Sequence, residues 1–264
     1  MTIDLATLVA ASRAAIEDIF ARHERVFLSF SGGKDSLVLS HLREPYHDRL
    51  TLIWTNTGHM APPMVEFVRS FGGRFNFIEV APERPMLDHW REHGIPAVVL
   101  PLDHLEGIDW RSPRLQPWLN CCAANRNAPV NRFMEEVTLP CAFLNGQRKT
   151  DQAATGDGLS SLLPAYVEVA LPIFEWTDAD VFAFVAEQGI VMHPDFAVSS
   201  SSSECINCPA IGSREKMRLF DQHYPEEPAF VRQAGRYALG LAATRAMELD
   251  AILADPSPAE RNVA

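Results

Sequence analysis

The sequence predicts an α/β protein with a parallel sheet, and three observations carry that prediction. Residues 25–36 read RVFLSFSGGKDS, an apolar run that stops at a Ser-Gly-Gly-Lys-Asp-Ser turn and then enters a helical pattern, LVLSHL. Two further apolar runs, LTLIWT at 50–55 and FNFIEV at 75–80, follow at intervals filled by helical segments. Strand, helix and strand at this spacing mean right-handed crossovers, with ligands outside the carboxyl ends of the strands.

Taken in order, residues 4–23 carry Leu5, Leu8, Val9, Ile16, Ile19 and Phe20 near helical spacing, with the small Ser12 on the same face, so a helix precedes the first strand. Val26, Phe27, Leu28 and Phe30 form the short bounded run of a central strand. After the 50–55 strand, Asn56-Thr57-Gly58-His59 is a loop and 61–71 a helix; after the 75–80 strand, 84–93 is a short helix. The stretch 94–120, rich in Pro and Trp and without periodicity, reads either as an irregular wall or as a lid. Residues 137–144 (VTLPCAFL) make a further strand candidate against the reservation of Pro140. It runs into Asn145-Gly146-Gln147-Arg148-Lys149-Thr150-Asp151-Gln152. Thr177-Asp178-Ala179-Asp180 starts a helix with acids in its first turn. Ser199–Ser203 reads as a linker more than a gate, 213–254 as two or three helices, and 255–264 as a frayed tail.

A chain of 264 residues with 47% hydrophobic content fits one large α/β domain or a domain with a small appendage, and no composition break marks a second full domain. The net charge of −11 argues against a broad, non-specific grip on nucleic acid, which needs Lys and Arg on phosphates. No run of 18 apolar residues and no charged-then-apolar leader appears, so the expected place is the cytoplasm, away from membranes. Five cysteines there point to metal or redox chemistry more than to disulfides.

The turn at 31–36 is suited to phosphate. Gly32 and Gly33 let the backbone approach an anion, the following helix offers unpaired N–H groups and its positive end, and Lys34 adds a full charge. The hydroxyls of Ser31 and Ser36 can reach phosphate oxygens. It is not a Walker A loop, which would need a glycine where Leu28 stands. The SGGKDS sequence resembles the pyrophosphate-loop (PP-loop) signature of the ATP pyrophosphatases, a group that includes thiouridine synthases, GMP synthetase and the PAPS/APS reductase relatives. This resemblance implies an adenine nucleotide alpha hydrolase-like (Rossmann-like, HUP) fold over residues 1–211, with a C-terminal helical extension over 212–264. It implies ATP contacts from Ser31, Gly32, Gly33, Lys34, Asp35 and Ser36, with Asp35 and Ser36 as candidates for Mg²⁺. In these relatives a Thr-Gly after the second strand lies beside the nucleotide, often after an Asp; here Thr57-Gly58 follows Asn56. Gly146-Gln147-Arg148 resembles the Gly-x-Arg stretch of sulfonucleotide reductases, whose Arg meets phosphate or sulfate, and Lys149 is a second candidate there. His59 and His193 read as polar loop residues rather than general bases.

Cys121 and Cys122 are adjacent, and Cys205-Ile206-Asn207-Cys208 is a Cys-x-x-Cys. Four thiolates are the usual ligands of a [4Fe-4S] cluster and also suit zinc, although structural zinc sites seldom set two cysteines side by side. Buried thiols are the third alternative. The set resembles the cluster ligands of iron-sulfur APS reductases. The run 121–132, CCAANRNAPVNR, follows the same pattern, with Arg126 where the family commonly has Lys. The stretch from Leu171 to Pro194 is similar to the segment upstream of that family's Cys-x-x-Cys. Cys141, inside an apolar run, reads as a core residue.

The two resemblances imply different reactions. A sulfonucleotide reductase of this kind uses a nucleophilic cysteine on a C-terminal tail, and within these 264 residues no cysteine follows Cys208. The complete SGGKDS loop favours the iron-sulfur thiolases of tRNA and the ATP-pyrophosphatase subunit of DNA phosphorothioation. In those systems an acceptor oxygen is adenylated and sulfur displaces AMP. That reading implies the catalytic set Lys34, Asp35, Ser36 and Arg148 and, as partners, an adenine nucleotide, a sulfur donor such as a cysteine desulfurase, and a nucleic-acid or small-molecule acceptor; a homodimer is compatible with it. The alternatives are a PAPS or APS reductase that takes its thiol from outside, and a non-catalytic nucleotide-binding iron-sulfur sensor or assembly subunit.

Overall fold

A computed structural model describes residues 4–42, 47–97, 115–137, 139–151, 163–199, 205, 208–210, 214–225 and 228–254. The expectations for the middle of the 94–120 stretch, for Gln152, for Ser200–Ser203, for Ser213 and for the tail lie outside these residues. The described chain divides into two compact units, Met1–Met86 with Cys122–Ile206, and Leu87–Cys121 with Asn207–Ala264.

The first unit is built on a five-stranded parallel sheet. Its strands are β1 (Val26–Ser29), β2 (Leu50–Thr55), β3 (Asn76–Val80), β6 (Cys141–Leu144) and β7 (Val167–Ala170), in the order β3-β2-β1-β6-β7. All four pairings are parallel, with Leu28 opposite Leu52 on one side and Leu144 on the other. Both faces are covered, which is why β1 and β6 read as unbroken apolar runs: Leu28, Ala142, Phe143 and Leu144 have no exposed surface. The reservation over Pro140 resolves simply, because β6 begins at the next residue.

Helix α1 (Leu5–Arg22) is capped by Asp4, whose carboxylate accepts from Thr7 N–H at 2.9 Å. Ser12 on its buried face accepts from the Trp176 indole at 3.0 Å and donates to Pro172 O at 2.7 Å, tying α1 to the segment after β7. Helix α2 (Lys34–Leu42) follows β1, and α3 (Pro62–Ser70) follows β2 with prolines at its start. Helix α6 (Ala128–Glu136) brings Val130 and Met134 onto Phe27, Ile53 and Phe143. Helix α7 (Asp178–Glu187) opens with a capping box in which Thr177 accepts from Asp180 N–H while the Asp180 carboxylate accepts from Thr177 N–H at 2.8 Å. Helices α1, α2 and α7 pack against one another.

In the second unit, the 94–120 stretch contributes a small parallel pair that its composition did not announce. This pair is β4 (Ile95–Ala97) and β5 (Leu115–Pro117), three residues each. Helices α4 (Met86–His93) and α5 (Trp118–Cys122) each cross from one unit's residues to the other's; α8 (Arg214–His223) and α9 (Pro228–Ala254) belong to the second unit. Among the described residues no helix is long and apolar enough to cross a membrane.

Candidate active site

The strand order reverses direction between β1 and β6, and the crevice at their carboxyl ends is where open parallel sheets take ligands. The loop after β1 and the loop after β6 both arrive there. Gly32 holds φ +73°, and a Cβ on it would stand 2.8 Å from Val68 Cγ2, so both its backbone and its surroundings require glycine. Ser31 Oγ accepts from Gly33 N–H at 3.2 Å, and Ser36 Oγ donates to Gly33 O at 2.9 Å. The two serines therefore shape the turn, and the lone pairs of Ser36 Oγ remain available at a residue only 6% exposed. Leu37 N–H closes the first α2 turn on Gly33 O at 3.0 Å.

From the other side of the crevice, Gly146 lies so near the start of α2 that a Cβ on it would be 3.0 Å from Asp35 Cβ. Two residues on, Arg148 enters the same ground and is 3% exposed. Its Nε lies 3.2 Å from Asp35 Oδ1 and 3.2 Å from Asp151 Oδ2, and its Nη1 donates to Asp178 Oδ1 at 2.9 Å. Lys34 Nζ donates to Asp35 Oδ2 at 2.9 Å and lies 3.2 Å from the same Asp178 oxygen. Two cations and three carboxylates thus share one small space. Burial pushes the Asp35 carboxyl above its ordinary range in spite of Lys34 and Arg148. Asp178 is partly buried, which works in the same direction, but there Lys34 and Arg148 prevail and hold it below that range. Asp151 and Asp178 were not singled out from the sequence as site residues. Only the acidic first turn of α7 hinted at the second.

At the end of β2, Asn56 makes two contacts that a carboxylate could not both make. Its Oδ1 accepts from Gly58 N–H at 3.0 Å while its Nδ2 donates to Glu79 Oε1 at 2.8 Å, and an aspartate could not donate. Glu79 is held below the ordinary range by Arg69 first and Asn56 second, against some burial. Thr57 is 6% exposed, and an open cleft of about 410 Å³ runs along Asn56–His59 and Ala81–Met86.

The predicted cysteines are distributed as follows. Cys122 and Cys205 fall in the first unit, and Cys121 and Cys208 in the second. Neither unit holds four thiols of the set, and among the described residues no group of three or more His, Cys, Asp or Glu is placed to hold a metal ion. No disulfide joins any of the five cysteines. Cys205 Sγ lies 3.5 Å from Thr57 Oγ1, and the Trp90 indole N–H donates to Cys121 Sγ at 3.2 Å. Cys141 is fully buried in β6 and burial raises its thiol pKa, as a core residue requires. After Cys122 the helix widens into a π turn over Ala123–Asn127, and the carbonyl of Arg126 in that turn accepts from Thr55 Oγ1 at 2.8 Å at the end of β2. Such π turns are frequent at functional sites. His193 is a core residue, 3% exposed, with Nδ1 accepting from Asp195 N–H at 3.3 Å and its ring edge-on to Phe67. The sequence read it as a polar loop residue; it does lie in a loop, but buried.

A five-stranded parallel sheet flanked by helices, with a glycine turn at its switch point, defines a Rossmann-like α/β protein. The chain belongs to the family of the phosphoadenosine phosphosulfate reductase domain, whose family model matches residues 25–210. It is 23% identical to adenosine 5'-phosphosulfate reductase of Burkholderia cepacia over 214 residues, covering 79% of each chain. It is 22% identical to phosphoadenosine 5'-phosphosulfate reductase of Vibrio cholerae over 192 residues, 72% of this chain and 70% of the relative. Among solved structures it is similar to the phosphoadenylyl-sulfate reductase of Candida auris in a phosphate complex, with TM-score 0.48 and 16% identity, over 76% of this chain and 96% of that one.

Proposed function

We propose that the protein splits ATP between its α and β phosphates and adenylates an acceptor oxygen, opening that acceptor to sulfur insertion with release of AMP. The observation that carries this reading is the convergence of Lys34 and Arg148 on one carboxylate oxygen, beside a complete Ser31–Ser36 loop at a helix N-terminus. In this role the N–H groups of Gly32 and Gly33 and the Lys34 ammonium hold pyrophosphate as its charge develops. Arg148, aided by the exposed Lys149, meets the nucleotide phosphate or the acceptor, and Gly146 allows that close approach. Thr57 and Gly58, with the cleft beside them, take the nucleoside end.

Asp35 and Ser36 are the proposed Mg²⁺ ligands. The fit rests on Asp35 Oδ1, a buried carboxylate oxygen that accepts no hydrogen bond and whose near charge partner is Arg148 Nε at 3.2 Å. Mg²⁺ held there would offset polyphosphate charge. Cys121, Cys122, Cys205 and Cys208 are the proposed [4Fe-4S] ligands. The Trp90 indole N–H directed at Cys121 Sγ suits anionic sulfur, and the Thr57 hydroxyl lies within hydrogen-bond distance of Cys205 Sγ. A bound cluster would hold or deliver sulfur, or order the site. A cytoplasmic enzyme of this kind would draw sulfur from a donor such as a cysteine desulfurase, with nucleic acid or a small molecule as acceptor.

The test is product analysis on anaerobically purified protein with ATP and Mg²⁺: AMP and pyrophosphate should form, and Lys34→Ala should lower the rate by about a hundredfold or more. The names of the relatives favour a second reading, sulfonucleotide reduction with an outside thiol. Sulfite release from radiolabelled APS or PAPS without turnover of ATP would establish that one. Nucleotide binding without any turnover would leave a sensor or assembly subunit. Brown colour with broad visible absorption, lost in Cys121→Ser and Cys205→Ser, is expected for the cluster. Colour retained in those variants overturns the ligand assignment.

A further inference from the structure

Asp178 stands where an anionic ligand would. Its Oδ1 is shared by the two cations of the crevice, 2.9 Å from Arg148 Nη1 and 3.2 Å from Lys34 Nζ. Those are the distances and the bridging arrangement a phosphate oxygen would take between the same groups. Neither cation depends on Asp178 for charge balance, because Lys34 also has Asp35 and Arg148 also has Asp35 and Asp151. With every group ionised the five side chains sum to one negative charge, so a metal-free polyanion meets a site that repels it. Asp178 also has somewhere to go. It is the first residue of α7, its side chain is 66% exposed, and the helix N-terminus favours an anion there whether or not the two cations are within reach. The capping box that anchors this turn uses Thr177 and Asp180 and leaves the Asp178 side chain out.

We infer that Asp178 is an internal surrogate for phosphate, a specificity-determining carboxylate that occupies Lys34 and Arg148 in the empty site and biases it toward anions accompanied by a divalent cation. This inference rests on the phosphate-site reading above and sharpens it. A polyphosphate carrying Mg²⁺ can displace Asp178 or recruit it to the cation, whereas a metal-free phosphosulfate has to compete with it. Asp178 would therefore help separate nucleoside triphosphates from sulfonucleotides.

The experiment is calorimetric titration of wild type and Asp178→Asn with inorganic pyrophosphate, once in EDTA and once with Mg²⁺. Asparagine keeps the shape and removes the charge. Metal-free pyrophosphate should bind the variant about fivefold or more tightly than wild type, and the advantage conferred by Mg²⁺ should shrink by a similar factor. Equal or weaker metal-free binding by the variant, or no binding by either protein, overturns the inference. Asp180→Ala, which removes the acceptor for Thr177 N–H in the capping box and leaves the two cations untouched, should lower the unfolding midpoint without changing the Mg²⁺ advantage; a matching change there would mark the effect as structural and also overturn it. Failure of the ATP reading is distinguishable, since it would show as absent AMP formation by wild type while the pyrophosphate difference between the two proteins persists.

Discussion

Gly146 and Asp35, 111 residues apart in sequence, approach so closely that a Cβ on the glycine would stand 3.0 Å from Asp35 Cβ and 3.2 Å from its carbonyl carbon. The neighbour on one side is backbone at the head of α2, which cannot swing away as a flexible side chain can. Gly146→Ala should therefore push the β6 loop off the glycine turn and carry Arg148 with it. The expected result is a loss of ATP turnover of about tenfold or more, with a stability cost of about 1–3 kcal/mol. Pyrophosphate release and urea unfolding on the same preparation check both.

Arg148 is buried among Asp35, Asp151 and Asp178, and its removal leaves carboxylates facing one another with only Lys34 to offset them. Arg148→Ala should destabilise the first unit by about 2–3 kcal/mol, near the lower end for breaking buried ion pairs because two of the partners are partly exposed. Arg148→Lys keeps the charge but cannot span three carboxylates from one point. It should hold most of the stability while nucleotide affinity falls, which thermal unfolding and nucleotide titration will separate.

Gly32 and Gly58 both hold positive φ, at +73° and +77°, but only Gly32 has a neighbour inside contact distance. Gly58→Ala should cost about 1 kcal/mol of backbone strain. Gly32→Ala adds a clash with Val68 to the same strain, and should cost at least about twice as much and abolish phosphate binding. Equal costs for the two substitutions in chemical unfolding would contradict the packing seen at Val68.

Asn56→Asp sets a carboxylate against Glu79 in place of an amide donor. Stability near neutral pH should fall by about 1–3 kcal/mol through the lost donor and the like-charge contact. Glu79→Gln in the same chain should recover most of the loss, as a double-mutant cycle would record.

Glu168 in β7 is held down to about 2 by hydrogen bonds from Arg22 first and then His23, which outweigh slight burial. A carboxylate with a depressed folded-state pKa lends stability above its unfolded pKa and loses it as pH falls through the folded value. Wild type should therefore exceed Glu168→Gln in unfolding midpoint near neutrality, and the two should converge between about pH 4.5 and about pH 2. Because the pair is partly exposed the gap will be modest and salt-sensitive. A gap that widens toward pH 2 would contradict the assignment.

Local pattern carried the sheet and its glycine turn. The apolar runs 26–30, 50–55 and 75–80, the glycines at 32 and 33 and the acids after Thr177 are signals within a few residues of one another, and strand, turn and helix start are decided at that range. Gly146 and Arg148 were legible through their motif, and Cys141 through its apolar surroundings.

What the tertiary structure alone decided is who meets whom. Lys34, Arg148 and Asp178 come from α2, the β6 loop and α7, and no local rule says that one carboxylate will bridge two distant cations. Asn56 looked like a departure from pattern until Glu79, on the neighbouring strand, gave its amide a partner. The excursion of the chain after Met86 and its return at Cys122 showed in the sequence only as the Pro- and Trp-rich, aperiodic stretch 94–120, which does not say that these residues group with 207–264 in a second unit. Periodicity specifies which face of an element is buried; the pairing of elements, and so the charge balance of the site, is set by packing over the whole unit.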